Sequence, residues 1–406
     1  MPVPIALDSV APFEFFSKTG YYSIGDAICV NLQSALQQAS RTGNSVKWHF
    51  NEQAYRSMNW KTSWNLPIRE VYRLRAQQLR DQYRYLVLWF SGGADSATIL
   101  QTFVDNNIHL DEVMISWPKS ASEGRYVPNV INYSPENFIS EWDFSIRPRL
   151  EWLAKVSPGT KITVLDFFSD SVSFEDFEDT WTILEKNSYL TCKRQRALDK
   201  ATVERFEKYN DGLASISGIS PPLITVVNDR YLAVYFANDA ASAGIGKRDY
   251  MVKQVPRNVE FFYWTPDMPE IVREQVHLLL DYLAINHRDR ELFYPFDLRT
   301  NHMATIDSWK YEATRNIIKK LIYPDWDPKI FQSRKPTDHL YSPEIYSWFY
   351  KSKIADQYMT TWKSAMRSQY SMIDPKFLKI DENGVIRNTA TRYISRFYPV
   401  AKMPTS

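Results

Sequence analysis

The middle of the chain switches between two hydrophobic periods. An unbroken apolar run, Tyr85-Leu86-Val87-Leu88-Trp89-Phe90, meets the polar hexad Ser91-Gly92-Gly93-Ala94-Asp95-Ser96, and residues 97–104 then carry apolar side chains at helical spacing. A short continuous apolar run bounded by turn residues reads as a buried strand, and the periodic segment after it as a helix ending around Asp105-Asn106-Asn107. The alternation recurs. Strands are predicted at Glu112–Trp117, closed by Pro118, at 161–167 and at Leu213–Ser217. Helical segments are predicted at 135–156, restarted by Pro148, at 174–186 and at 191–209. Strands alternating with helices imply parallel strands joined by crossovers, so the predicted fold class is α/β, a twisted parallel sheet with flanking helices. Ligands in such sheets bind beyond the carboxyl ends of the strands. That rule lines up Ser91–Ser96, Ser116-Trp117 and Ser217-Gly218 along one edge.

The flanks read differently. Residues 1–84 form a predicted N-terminal cap, with a helix over 27–41 ending near Gly43, a short strand over 45–50 and a strongly amphipathic helix over 68–84. On the last of these, Ile68, Val71, Tyr72, Leu79 and Tyr83 share one face, and Arg69, Arg73, Arg80 and Arg84 form a stripe beside it. Such a stripe is ordinarily a solvated, salt-bridged face; contact with a polyanion is the functional alternative. Leu223–Val227 and 231–236 flank Asn228-Asp229-Arg230 as a hairpin. Beyond residue 240 the pattern turns largely helical, at 269–286 with an Asp267–Glu270 capping box, at 303–321 and at 342–370, with a small hairpin around Asp381-Glu382-Asn383-Gly384. The predicted organisation is therefore 1–84, 85–240 and 241–406.

With 406 residues, 44% hydrophobic and 24% charged, the composition is that of a soluble globular chain of two or three domains. Aromatics reach 15%; buried packing explains them more simply than base stacking. A net charge of +2 gives no global case for nucleic-acid binding. No signal peptide and no apolar run of transmembrane length is visible, so no membrane partner is expected and the expected location is cytoplasmic. Cys29 and Cys192 are the only cysteines, which excludes a disulfide framework and a cysteine-built zinc or iron–sulfur site. The six histidines show no metal spacing, and His277 reads as a packed residue. Nothing in the sequence excludes a homo-oligomer.

Only 12 glycines occur, so the adjacent pair at Gly92-Gly93 stands out. A strand, a tight glycine turn and a helix start build an anion site: the turn exposes N–H groups and the helix end adds partial positive charge. Glycines let the backbone approach a phosphate where a Cβ would collide. The residues Ser91-Gly92-Gly93-Ala94-Asp95-Ser96 resemble the SGGxDS PP-loop of the N-type ATP pyrophosphatase superfamily, also called adenine nucleotide alpha hydrolase-like or HUP-type. The resemblance implies ATP and Mg²⁺, bound on a parallel α/β sheet, with cleavage between the α and β phosphates. It implies that Ser91, Gly92, Gly93, Ala94 and Ser96 hold the β and γ phosphates and that Asp95 caps the helix or meets magnesium. By the same resemblance, Ile115 and Ser116 at the end of the second strand lie beside the adenine; an ordinary strand terminus explains them equally well.

Asparagine-synthetase-like members carry an acidic glycine loop near the fourth strand. This chain has Ser217-Gly218 there instead, a turn that can offer N–H donors. Ala241-Ser242-Ala243-Gly244-Ile245-Gly246-Lys247-Arg248 fails as a Walker A loop, because Ala241 and Arg248 occupy the first glycine and Ser/Thr places. It reads as a solvated loop, or as one carrying Lys247 and Arg248 to a polyphosphate. Lys193, Arg194 and Arg196 make a second basic cluster.

Absences narrow the superfamily. With Pro2 after Met1 an N-terminal glutaminase cysteine is not expected, and with only Cys29 and Cys192 neither are the cysteine-dependent deazaguanine synthases, tRNA thiolases and phosphosulfate reductases. The runs Arg75-Ala76-Gln77-Gln78-Leu79-Arg80 and Glu260-Phe261-Phe262-Tyr263-Trp264-Thr265-Pro266-Asp267-Met268-Pro269 also resemble tailed-phage PP-loop proteins labelled asparagine-synthetase-like or phosphosulfate-reductase-like. The expectation is an adenylating enzyme. A carboxylate or carbonyl of a small-molecule acceptor attacks ATP, releases pyrophosphate, and is then taken by an amine, ammonia or a sulfur donor. A nucleic-acid modifier and a non-catalytic nucleotide binder remain the other readings.

Overall fold

The computed structural model describes residues 20–29, 32–117, 142–166, 200–218, 223–227, 231–236, 259–293, 308–324, 373–380, 386–389 and 393–403. The N-terminal part builds an antiparallel sheet of β1 (Tyr21–Ile24), β2 (Ala27–Cys29) and β3 (Val46–His49), with β1 in the middle. Residues 27–29 are strand rather than helix. Gly25, at φ +58°, closes a hairpin that pairs Ile24 with Ala27, and helix α1 begins only at Leu32 and runs as Leu32–Thr42. Helices α2 (Glu52–Ser57) and α3 (Ile68–Gln82) lead into the main sheet.

That sheet has five strands, all parallel. β4 (Tyr85–Trp89) is central, β5 (Glu112–Trp117) and β6 (Lys161–Asp166) lie to one side, and β7 (Leu213–Ser217) lies to the other. The sequence pattern predicts these four. The hairpin β8 (Leu223–Val227) and β9 (Tyr231–Tyr235) does not join them. The outer place beside β7 is taken by β10 (Val259–Phe261), from the stretch whose pattern reads as helical. Counted along the chain, the order across the sheet is third, second, first, fourth, fifth, the arrangement of doubly wound α/β sheets. Its direction reverses between β4 and β7.

Period-two alternation gives the sheet two buried faces. Leu86, Leu88 and Phe90 join the main core with Ala97, Leu100 and Phe103 of α4 (Ala94–Asp105) and with Val71, Ala76 and Leu79 of α3. Val87, Met114 and Leu213 face the other way, against Ala201, Phe206 and Tyr209 of the helical stretch 200–209. Between β5 and β6 a short π-turn over Trp142–Ile146 runs into α5 (Arg147–Val156), with Pro148 in its first turn. After β10, α6 (Glu270–Ile285) starts at Pro269 without a side-chain cap bond, so the predicted Asp267–Glu270 box does not form its cap. Helix α7 (Ser308–Ile322) follows, and β11 (Leu378–Ile380) and β12 (Ile386–Thr389) pair across the predicted small hairpin. β13 (Tyr398–Lys402) returns to pair with β9. Phe50, Tyr55, Phe236, Trp264 and Tyr398 pack where the N-terminal sheet, the β13–β9–β8 sheet and the end of β10 meet, with Phe50 and Trp264 centroids 4.7 Å apart. These aromatics belong to the interior. Among the described residues no helix is long and apolar enough to cross a membrane.

The arginine stripe is spent on the protein itself. Arg73 pairs with Glu70 at 2.5 Å, Arg80 with Asp111 at 2.7 Å and Arg69 with Asp105 at 4.0 Å, and Arg84 reaches the Tyr209 carbonyl at 3.4 Å. Arg75, three residues from Tyr72 and four from Leu79, lies instead on the apolar face and is fully buried. It meets Glu260 of β10 at 2.6 Å, while Gln78 donates to the Asp267 carbonyl at 3.2 Å. The runs 75–80 and 260–269 are thus packed against each other.

A second buried pair fixes the amino end of the sheet. Glu112 of β5 accepts from Arg205 at 2.7 and 3.0 Å, from Tyr85 at 3.1 Å and from Thr163. Burial pushes its carboxyl up, but the Arg205 and Thr163 hydrogen bonds and the charges of Arg205 and Lys161 outweigh burial, leaving it below the usual carboxylate range. A depressed carboxyl stabilises the fold above its unfolded-state value and loses that contribution as pH falls through the folded value. Glu112→Gln is expected to cost about 2 kcal/mol at neutral pH and to flatten the acid limb of stability. Urea midpoints at neutral pH and in mild acid would show it; parallel acid limbs for both proteins would contradict it.

Candidate functional site

The glycine turn sits at the carboxyl end of the central strand. β4 ends at Trp89, Phe90 N–H still bonds Met114 at 2.8 Å, and the chain then leaves the sheet. Gly92 adopts φ +76°, where L side chains are strained, and a Cβ there would lie 2.5 Å from Ile146 Cγ1. Ser145 donates to the Gly92 carbonyl. The first glycine is therefore required by the turn and by the π-turn packed against it; the atoms its missing Cβ makes room for are the protein's own. Gly93, in extended conformation, is the cap of α4.

Helix α4 begins three residues earlier than its apolar period suggests. Asp95 and Ser96 thus lie inside the first turn, and no side chain caps the helix. This corrects the expectation that Asp95 is the cap. The first intrahelical bond runs from Ala97 N–H to the Gly93 carbonyl at 3.0 Å, which leaves the N–H groups of Ala94, Asp95 and Ser96 without intrahelical acceptors. Ala94 and Ser96 are nonetheless buried. The Ser96 hydroxyl turns back into the loop: it accepts from Ser91 N–H at 3.2 Å, donates to the Gly93 carbonyl at 3.3 Å and lies 3.3 Å from Ser91 Oγ.

Two neighbouring strands complete the site. Ser217 pairs beside Trp89 in the ladder, so Gly218 leaves the sheet beside Phe90, one residue before the turn. A Cβ at Gly218 would stand 3.1 Å from the Ser96 nitrogen and 3.0 Å from Ile99 Cδ1. Ser217-Gly218 and the turn face each other across the reversal between β4 and β7. On the other side β5 outruns β4. Met114 is the last residue paired with β4, and Ile115, Ser116 and Trp117 continue against β6 alone, leaving their β4-side edge without a strand. The Ile115 side chain is in the main core, and the buried Ser116 hydroxyl has no hydrogen-bond partner.

Asp95 is gripped from the C-terminal part of the chain, which no local pattern announced. Tyr263 donates to its carbonyl at 2.5 Å and Tyr323, just past α7, donates to its Oδ1. Both phenols are fully buried, and burial first, with the nearby Asp95 charge and the other tyrosines adding, pushes them well above the usual phenol range. They stay protonated donors at all physiological pH. Asp95 Oδ2 has no described partner. Only the aromatic run at 260–264 hinted at Tyr263; for Tyr323 there was no signal.

Lys247 and Arg248, like Lys193, Arg194 and Arg196, lie outside the described residues, as do all of 174–199 and all of 342–370. His277 bonds the Trp60 carbonyl at 2.8 Å, a packing role. Among the described residues no three His, Cys, Asp or Glu side chains converge as a metal site. Compared with protein-family models, with curated proteins and with solved structures, the chain matches none. The reading of this site rests on its own geometry.

Proposed function

We propose that this protein is a PP-loop, HUP-type enzyme that binds ATP at Ser91–Ser96 and cleaves it to AMP and pyrophosphate, activating a carboxylate or carbonyl of a small acceptor for an amine, ammonia or a sulfur donor. One observation carries the proposal. The uncapped first turn of α4, with its unpaired N–H groups, lies at the reversal point of the strand order, where doubly wound sheets hold their ligands.

The parts fit a nucleotide. The Ala94, Asp95 and Ser96 amides and the Ser91 and Ser96 hydroxyls are donors for phosphate oxygens. Gly218 packs against the same helix end more closely than a residue with a Cβ could, which brings the end of β7 to the first turn of α4. The edge of Ile115–Trp117 that no strand pairs, buried in this structure, and the unpartnered Ser116 hydroxyl suit the edge of a base. Asp95, through Oδ2, suits a magnesium ion, which takes one or two carboxylates and fills its shell with phosphate oxygens. Bound magnesium would neutralise charge on the leaving pyrophosphate. The protein's own part is positioning: fixed amides and the positive helix end favour the negative charge that grows on the departing group. Since the arginine stripe is internally paired, a nucleic-acid reading gains nothing from it.

The test is product identity. The purified chain, given millimolar Mg·ATP labelled at the α phosphate, with and without a cellular small-molecule fraction, is expected to yield AMP and pyrophosphate and to gain thermal stability from ATP. ADP as the product, or neither turnover nor an ATP-dependent stability gain, would overturn the proposal.

A further inference from the structure

We propose that Ser23, His49 and Glu52 form a second reactive site, independent of the glycine turn, at which Ser23 accepts acyl groups from small activated carboxylic esters. The N-terminal sheet has a buried and an outer face. Tyr22, Ile24 and Trp48 point into the core, so Tyr21, Ser23, Lys47 and His49 share the other face. Polar residues at such positions ordinarily end in water. Here they are chained. Ser23 Oγ lies 2.8 Å from His49 Nε2, and His49 Nδ1 lies 2.9 Å from Glu52 Oε1. The chain makes this possible at Asn51, whose left-handed φ of 46° turns it back after β3 so that Glu52 reaches the imidazole. Tyr21 stacks on the ring at 4.8 Å and 14°, holding its plane. His49 and Glu52 keep 23% and 28% of their side-chain surface, so the group is open to a reactant.

This is the arrangement that activates a serine: a base within hydrogen-bond reach of the hydroxyl, itself oriented by a carboxylate. The Glu52 carboxylate accepts a hydrogen bond from the protonated Nδ1, which leaves the Nε2 lone pair facing the Ser23 hydroxyl. Ser23 Oγ attacks the ester carbonyl carbon while its proton passes to Nε2. The carbon–oxygen bond to the leaving group then breaks, the leaving oxygen takes that proton, and an acyl-serine remains. Water, deprotonated by the same nitrogen, attacks the acyl carbon; the bond to Oγ breaks, Oγ takes the proton back from Nε2, and the acid is released. β1 pairs on both sides, at Ile28 and at Lys47, so its amides are committed to the ladders. The negative charge on the attacked oxygen is left to Lys47, directly across from Ser23. A missing oxyanion donor slows acyl transfer by ~10²–10³-fold, so the site is a slow acyl acceptor rather than a fast esterase.

The probe is p-nitrophenyl acetate, read by peptide mass spectrometry on the full chain. Ser57 serves as the internal reference, since it is exposed and bonds only the Ala54 carbonyl, at 3.1 Å. Ser23 is expected to be acetylated at least ~10²-fold faster than Ser57, as general-base assistance allows. His49→Gln should bring Ser23 down to the Ser57 rate, and Glu52→Gln should lower it part of the way. Equal labelling of Ser23 and Ser57, or labelling of Ser23 that persists in His49→Gln, overturns the proposal. Pyrophosphate release is untouched by either result, which keeps this test separate from that of the glycine turn.

Discussion

Glu260→Ala is expected to destabilise the fold by about 3–5 kcal/mol, the largest stability loss of any single substitution considered for this chain. Its carboxylate receives Arg75 at 2.6 Å and the Tyr83 hydroxyl at 2.5 Å, and Arg75 also holds Gln78 at 2.7 Å and the Phe261 carbonyl at 3.1 Å. Both charges are buried. Removing the carboxylate leaves a guanidinium in the core whose Nε already has no partner. A buried cation without its anion costs far more than the lost contact, because desolvation is no longer offset. Arg75→Met should cost a similar amount for the mirror-image reason, and so should Glu260→Leu, whereas Arg75→Met with Glu260→Leu should recover part of the loss. A double-mutant cycle on urea midpoints measures this. Single variants within about 0.5 kcal/mol of the parent protein, the range of ordinary surface changes, would show that β10 is not held this way.

Asp95→Asn is expected to lower pyrophosphate release by ~10²-fold or more while leaving the urea midpoint nearly unchanged. The amide keeps an oxygen for the Tyr323 hydroxyl but loses the charge a magnesium ion requires. Tyr323→Phe should do the reverse. It removes the latch on Oδ1 and costs about 1–2 kcal/mol of stability, yet it leaves the charge in place. Opposite behaviour of the two variants separates a chemical role of Asp95 from a structural one. Full pyrophosphate release by Asp95→Asn would remove the turn from the chemistry, and equal stability losses in both variants would reduce Asp95 to a packing residue.

Much of the sheet was legible because its strands are short apolar runs closed by turn residues. β5 and β7 fall at the predicted bounds, and β4 ends one residue early. Residues 27–29 were misread because Ala27-Ile28-Cys29 carries apolar residues compatible with either period, and the Gly25 turn decided for strand. The start of α4 was misplaced because Ala94, Asp95 and Ser96 interrupt the apolar period although they are helical. β10 was missed since three residues, Val259-Glu260-Phe261, are too few to show a period, and a glutamate breaks the apolar run that marks a buried strand. The stripe Arg69, Arg73, Arg80 and Arg84 was read correctly as internally paired, whereas Arg75 was not singled out, because a buried arginine is explained only by a carboxylate 185 positions away in the chain.

The sequence by itself determined the strand–turn–helix at 85–105 and the tight turn at Gly92-Gly93, because these depend on residues adjacent in the chain and on the steric freedom of glycine. It also determined the parallel α/β class, through a periodicity that any local window displays. Only the tertiary structure decided that Gly218 meets the first turn of α4, that Ile146 fills the space over Gly92, and that Tyr323 holds Asp95. Those contacts join segments separated by more than fifty positions. They follow from which strand lies beside which and from burial of a shared core, quantities that no local stretch of sequence contains.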